Sequence, residues 1–247
     1  MPELPIILKA AVPQTQAQDV LPNLLCDAPL QALVAAHLHA FDVQGASPDV
    51  RADTNLRHAA VCVAIIDAGH GADVAGMPQY TEWSHQAALL LTRRSGKLRN
   101  HSGQWALAGG RLDAGETPEQ AALREMFEEV NLQLDERAIL GRLDDFVSRS
   151  GFVITPIVVW AGPVAQISPN PDEVASVHRI PIAELFRPDA PLLAHEPHSE
   201  HQVLRMPVGS SWIAAPTAAI LFQFREVCIA GRATRVAHFE QPKFAWK

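Results

Sequence analysis

Residues 105–132 read WALAGGRLDAGETPEQAALREMFEEVNL, and this stretch decides how the rest of the chain is read. Thr117 followed by Gln120 fits a capping box, and Pro118 suits the first helical position, so a helix is predicted over Pro118 to Val130. At about 100° per residue, Leu123, Met126, Phe127 and Val130 are expected on its buried side. Glu125, Glu128 and Glu129 then fall on the opposite side at i, i+3, i+4 spacing. Three carboxylates stacked this way repel one another. A divalent cation removes the repulsion, and oxygen-only ligation suits a hard ion such as Mg²⁺ or Mn²⁺. From the helix alone, a metal site and a solvated acidic face fit equally well.

The flanks shift that balance. Ala108-Gly109-Gly110 reads as a glycine turn after a strand at Trp105–Leu107, letting backbone approach a ligand with no side chain between. Arg93, Arg94, Lys97, Arg99 and Arg111 crowd this end of the chain, whereas acidic residues concentrate between Asp113 and Asp145. Guanidinium groups beside a carboxylate-held metal match a substrate rich in phosphate oxygens. The combination points to a phosphoanhydride.

Gly110, five residues, Glu116, seven residues, then Arg124-Glu125-Met126-Phe127-Glu128-Glu129-Val130-Asn131-Leu132 resembles the Nudix box of the Nudix hydrolases. Asn131 stands where that family usually has glycine. Asn is the next-best residue for a left-handed position after a helix, so the change is expected to be tolerated. Leu90-Leu91-Thr92-Arg93-Arg94-Ser95, Arg99, Gly103 and Gly109-Gly110 look like the longer motif of the coenzyme A pyrophosphatase branch. Leu107-Ala108 departs from the Phe-Pro usual there. Replacing Pro removes a fixed φ angle and leaves room for a different substrate.

The resemblance implies an α/β fold, a Nudix-type α/β/α sandwich with a mixed β-sheet, here with helical extensions at both ends. It also implies hydrolysis of a nucleoside diphosphate derivative with Mg²⁺ or Mn²⁺. Glu128 and Glu129 would be the main metal ligands, Glu125 would ligate or orient the attacking water, and the Gly110 carbonyl would touch the metal. Glu116 and Arg124 would join loop to helix by an ion pair. Glu173, in the Asp172-Glu173-Val174 turn, is the candidate base from outside the box; its other reading is a surface turn acid. Arg94 and Arg99 are the foremost phosphate contacts, then Lys97 and Arg111, and each alone also fits a surface salt bridge. With coenzyme A or its thioesters the products would be 3′,5′-ADP and 4′-phosphopantetheine or its acyl derivative. ADP-ribose, NADH or a dinucleotide is the alternative substrate, and a non-catalytic nucleotide binder is the third reading. The extensions would either close the pocket or build a homodimer, and the sequence does not choose between them.

Outward from the box, strands are predicted at Ala60–Ile66, Ala87–Thr92, Phe152–Trp160 and Val174–Ile180, with Pro156 suggesting an edge position or a bulge. Asp27 and Pro29 open a helix from Leu30 to about Phe41, and a turn-rich loop follows from Gln44 to Asn55. A second long helix is predicted from Pro216 to Ala230, with Ile220, Phe224, Val227 and Cys228 inside and Gly231 as its stop. One further strand is predicted at Arg235–Phe239. These divide the chain into an extension (1–58), a core (59–190) and a second extension (191–247).

The 247 residues carry 27 acidic and 20 basic side chains, a net charge of −7, which argues against a general nucleic-acid binder. No apolar run approaches the roughly 18 residues of a membrane span. MPELPIILKAAVPQTQ lacks a basic start and a cleavage pattern, so a cytoplasmic location is expected. Three scattered cysteines do not make a disulfide framework. Cys62 reads as a buried small hydrophobe. Pro197 argues against a zinc site from His195, His198 and His201. Trp212 and Trp246 read as core or interface residues, with stacking on an adenine as the other possibility.

Overall fold

The computed structural model describes residues 24–47, 55–97, 103–164, 166–195 and 202–241. Arg99, His198, His201 and Trp246 therefore lie outside the described residues. The central strand is β1 (Arg57–Gly71), which pairs in parallel with β7 (Phe152–Gly162) and antiparallel with β2 (Gln79–Arg94). Its apolar run serves two cores at once: Val63 and Ile65 enter one, and Cys62, Ala64 and Ile66 enter the other. A strand covered on both faces loses the alternating pattern, hence the unbroken sequence AVCVAII. Cys62 is buried, as its setting in that run predicts.

Below Ile65 and Leu89 the two long strands part, and the fork between them holds β3 (Trp105–Ala106) and β4 (Ala108–Arg111). β3 pairs with β2, Thr92 opposite Ala106; β4 pairs with β1, Cys62 opposite Ala108 and Ala60 opposite Gly110. Gly109 and Gly110 are thus strand residues, not a turn. β5 (Ile139–Arg142) and β6 (Phe146–Ser148) pair with β7, and β8 (Val174–Pro181) pairs with β2. The sheet is mixed and the fold is α/β.

Pro156 sits neither on an edge nor in a bulge: it lies inside β7, opposite Val61 of β1. Its carbonyl accepts from the Leu143 amide (3.0 Å), so its nitrogen faces the same side. On that side β5 has ended at Arg142 and β6 begins only at Phe146. The missing N–H falls in the break between two short strands, where the ladder needs no donor.

One face of the sheet carries helix α2 (Pro118–Val130), and the other carries α1 (Ala28–Ala40) and α3 (Thr217–Phe224). The Asp27 carboxylate caps α1 at the Leu30 amide (3.1 Å), and Leu30, Val34 and Leu38 form its buried stripe. α3 continues through a wider π-helical turn, Arg225–Ile229, and Gly231 (φ +66°) stops it as expected. The C-terminal segment is not purely helical, however. It forms a three-stranded antiparallel sheet from β9 (Leu192–His195), β10 (Gln202–Val208) and β11 (Ser211–Ala214). The strand expected at Arg235–Phe239 is instead a turn closed by Phe239 N–H to Val236 O (3.1 Å), and only Glu240 bridges to Val203.

Buried Asp144 ties distant parts of the chain together. Its carboxylate accepts from the Gln44 amide, Gln223 Nε2 and Arg235 Nη1, each at 2.7 Å. Asp144→Ala leaves three donors without their acceptor. We expect a loss of about 3 kcal/mol and a melting temperature lower by about 10 °C in a thermal scan. An unchanged melting temperature would show the knot to be dispensable.

Candidate active site

Helix α2 begins at the predicted box: Gln120 N–H donates to Thr117 Oγ1 (3.3 Å) and Thr117 N–H to Gln120 Oε1 (3.0 Å). It ends at Asn131 in the left-handed region (φ 54°, ψ 35°), the conformation for which Asn substitutes for glycine. The buried stripe differs from the predicted one. Ala121, Ala122, Met126 and Val130 are inside together with Glu129, whereas Phe127 is 49% exposed and Leu123 only partly covered. The helix approaches β1 and β4 closely, and the alanines fit that gap where larger side chains would not. The contact stripe is rotated accordingly, which carries Glu129 inward.

Glu125, Glu128 and Glu129 consequently have three different environments. Glu129 is 4% exposed, lies beside Gly109, and feels the positive charge of Arg94. Glu125 lies against Gly110 so closely that a β-carbon on the glycine would fall 2.1 Å from Glu125 Oε1. Glu128 is largely exposed and its Oε2 is held by Arg124 Nη1 at 2.9 Å. One carboxylate oxygen each from Glu125, Glu129 and Glu173 lie within 4.8 Å of one another. Of the acids predicted on the helix, two join this cluster; Glu173 completes it and Glu128 stays outside.

The loop before β8 delivers Glu173. Ser168 N–H donates to Val130 O (3.1 Å) and Asn170 N–H to Glu129 O (2.8 Å), sewing the loop to the last turn of α2. The Asn170 side chain then turns the chain by accepting from the Asp172 amide (3.2 Å), and Glu173 O accepts from Ser95 N–H at the end of β2. Sequence reading missed Asn170 and the role of Ser95; Asn-Pro-Asp at 170–172 was the available turn signal.

Arg124 joins loop and helix as predicted. Its Nε and Nη2 bind Glu116 Oε1 and Oε2 (2.8 and 3.0 Å), Nη1 reaches Glu125 and Glu128 (both 2.9 Å), and Nη2 also donates to Arg111 O (3.1 Å). That guanidinium holds Glu116 below the usual carboxylate range. Burial has the opposite effect on the cluster: it raises Glu125, and it pushes Glu129 up to about 8, with the Glu125 and Glu173 charges adding. Arg124→Lys keeps the charge but cannot span three carboxylates from one ammonium. We expect kcat/KM to fall about 10- to 100-fold with the fold retained, as for other residues that orient metal ligands. An undiminished value would remove Arg124 from the site's support.

Among the other predicted phosphate contacts, Arg94 is partly buried, and its Nε is enclosed with no hydrogen-bond partner. Lys97 pairs with Asp172 at the surface (2.8 Å). Arg111 lies near the Phe152 ring (5.5 Å) on the exposed end of β4.

A helix presenting buried carboxylates to the fork of a mixed sheet, locked by one arginine, defines an α/β protein with an all-oxygen acidic centre. The chain belongs to the Nudix family: the NUDIX domain profile matches residues 57–202. It is accordingly a hydrolase of pyrophosphate bonds, in a family that works with divalent cations. It is 36% identical over 148 residues to an uncharacterized Nudix hydrolase NudL of Photorhabdus laumondii, a match covering 60% of this chain and 71% of that one. With Nudix hydrolase 3 of Caenorhabditis elegans it shares 40% identity over 104 residues, 40% of this chain and 43% of the other. A MutT/nudix family protein from Enterococcus faecalis superposes with a TM-score of 0.43 at 16% identity, over 68% of this chain and 60% of that one.

Proposed function

We propose that this hydrolase cleaves the phosphoanhydride of coenzyme A or its thioesters, giving 3′,5′-ADP and 4′-phosphopantetheine or its acyl derivative. The observation that carries the reading is the convergence of Glu125, Glu129 and Glu173 beside the Gly109–Gly110 strand and Arg94. The donor set fits Mg²⁺ or Mn²⁺: all oxygen, mutually repelling, and partly shielded from water. When bound, such an ion neutralises the charge that builds up on the phosphoanhydride. Glu125 and Glu129 would hold it with the Gly110 carbonyl. Glu173, the most exposed of the three acids, takes the proton of the attacking water. Arg94, whose positive charge is felt at Glu129, supplies a guanidinium beside the acidic cluster to meet a phosphate oxygen. Glu128, held by Arg124, stays outside this cluster.

The choice of coenzyme A rests on the Leu90–Ser95 motif and its spacing to Gly103 and Gly109. Ala108 supports a second reading, ADP-ribose or a dinucleotide, because a buried strand residue paired with Cys62 replaces the proline usual in that branch. Among the described residues no helix is long and apolar enough to cross a membrane. The test is product analysis with coenzyme A, ADP-ribose and NADH, each with Mg²⁺, Mn²⁺ or EDTA. Metal-dependent release of 3′,5′-ADP from coenzyme A is expected. Cleavage of ADP-ribose or NADH alone would transfer the assignment to the second reading.

A further inference from the structure

Two adjoining cavities, about 330 and 390 Å³, open on the face of the sheet opposite α2 and share Arg93, Trp105 and Ser211 as walls. Ligand sites typically run from about 300 to 1,000 Å³. The Arg93 guanidinium lies 3.9 Å over the Trp105 ring and donates to Gly103 O (2.9 Å), so it is fixed as a flat cationic surface. Trp105 is 7% exposed and its indole N–H has no hydrogen-bond partner. The facing wall comes from the C-terminal segment: Trp212, 40% exposed, with Arg205 4.7 Å over its ring, and Thr217 at the start of α3. Trp212 is therefore not a core residue, which leaves the interface and stacking roles that its sequence setting also allowed. An exposed indole, a stacked guanidinium and hydroxyl groups around a hollow form a surface for a flat, hydrogen-bonding aromatic ring that carries negative charge.

Position links this hollow to the acidic centre. Arg93 and Arg94 are consecutive on β2, where the pairing with β8 shifts register; Arg93 lines the cavities and the charge of Arg94 is felt at Glu129. Between them β3 and β4 occupy the fork, each paired to a different long strand, with Trp105 on one and Gly110 on the other. The cavities and the acidic centre are thus one residue apart along β2 and one short strand apart across the fork.

We propose that the cavity lined by Arg93, Trp105 and Trp212 receives the nucleobase of the substrate, stacked on Trp212 with its sugar-phosphate toward Arg93. This rests on the reading of the substrate as a nucleoside diphosphate derivative. Residues 203–241 lie beyond the matched family region, so the wall that would select the base is supplied by this chain's own C-terminal segment.

The test is binding in EDTA, without turnover, followed by tryptophan fluorescence with AMP, GMP, CMP, UMP and base-free ribose 5-phosphate. At least one nucleotide should quench fluorescence and bind well above ribose 5-phosphate. Trp212→Ala should weaken it roughly tenfold, and Trp212→Phe should restore most of the affinity. In turnover, Trp212→Ala should raise KM by a similar factor with little change in kcat. Equal affinity of wild type and Trp212→Ala, or no preference for any nucleotide over ribose 5-phosphate, would overturn the proposal. If the base-dependent binding and its loss in Trp212→Ala are found while no anhydride is hydrolysed, the cavity assignment stands and the proposed activity falls.

Discussion

Glu129→Gln should abolish metal-dependent hydrolysis and at the same time raise the melting temperature of the metal-free protein. The two effects have one cause. Glu129 is almost wholly enclosed, and burial together with Glu125 and Glu173 pushes its pKa from an ordinary 4.5 to about 8. Because the folded value lies above the unfolded one, the folded state keeps a proton that the unfolded chain has released. Stability from this group is therefore complete below about pH 4.5 and is lost as pH rises to about 8. Glutamine is neutral throughout, so in EDTA at pH 8 the variant should melt a few degrees higher. It also lacks the charge that holds a divalent cation, and kcat should drop on the order of 10³-fold. Thermal scans at pH 5.5 to 8.5, in EDTA and in Mn²⁺, check both halves. Mn²⁺ should stabilise the wild type increasingly as pH rises, since the ion displaces the proton, and should leave the variant nearly unmoved. A variant that melts lower than wild type in EDTA at pH 8 would show that the carboxylate's attraction to Arg94 outweighs its burial.

Gly109→Ala and Gly110→Ala should fail in different ways despite being neighbours. A β-carbon on Gly109 would fall 2.4 Å from Ala60 O and 2.7 Å from Val61 Cα, both backbone atoms of the central strand. Those atoms cannot yield without opening the β1–β4 ladder, so we expect a loss of about 3 kcal/mol and little soluble protein at 37 °C. On Gly110 the same atom meets the end of the Glu125 side chain instead. That carboxylate can swing aside, so the fold should survive with a melting temperature within a few degrees of wild type. Displacing it should cost at least about 10²-fold in kcat, because Glu125 then leaves the position it shares with Glu129 and Glu173. Urea denaturation and steady-state kinetics on the two purified variants separate these outcomes. Equal stability for both would mean that β1 and β4 yield more readily than their pairing implies.

The contrast between these glycines also shows what the sequence made legible. Spacing located the helix and its cap, and the resemblance to the Nudix box added the left-handed Asn131 and the Arg124–Glu116 pair. Neither distinguished Glu128 from Glu129. That depends on how far the helix is rotated against β1, which is set by alanines whose size matters only once the sheet is in place. Glycines 109 and 110 read as a turn because flexibility is glycine's commonest use; here they are needed for close approach inside a strand. Pro156 looked like an edge signal because the break between β5 and β6 is invisible until both are paired. β9 to β11 were missed because two of them are only four residues long and the third is interrupted by Pro207. Glu173 was chosen for its turn, and only the Asn170 contact to the end of α2 shows how that turn brings it to the cluster.

Helix α1 rests on residues that are synthesised long after it. Its His37 ring bonds Cys228 O at 2.9 Å, and Leu30, Val34 and Leu38 share a core with Phe224, Val227 and Cys228. On the ribosome, therefore, an apolar helix emerges early, and the last part of its docking surface follows only nearly 190 residues later. β1 is in a similar position, since its parallel partner β7 begins at Phe152. Folding during translation thus cannot finish before the C-terminal helix is made. Nascent fragments ending before α3 would carry an uncovered sheet face and should depend on chaperones. Newly made full-length chains should acquire protease resistance in a single late step.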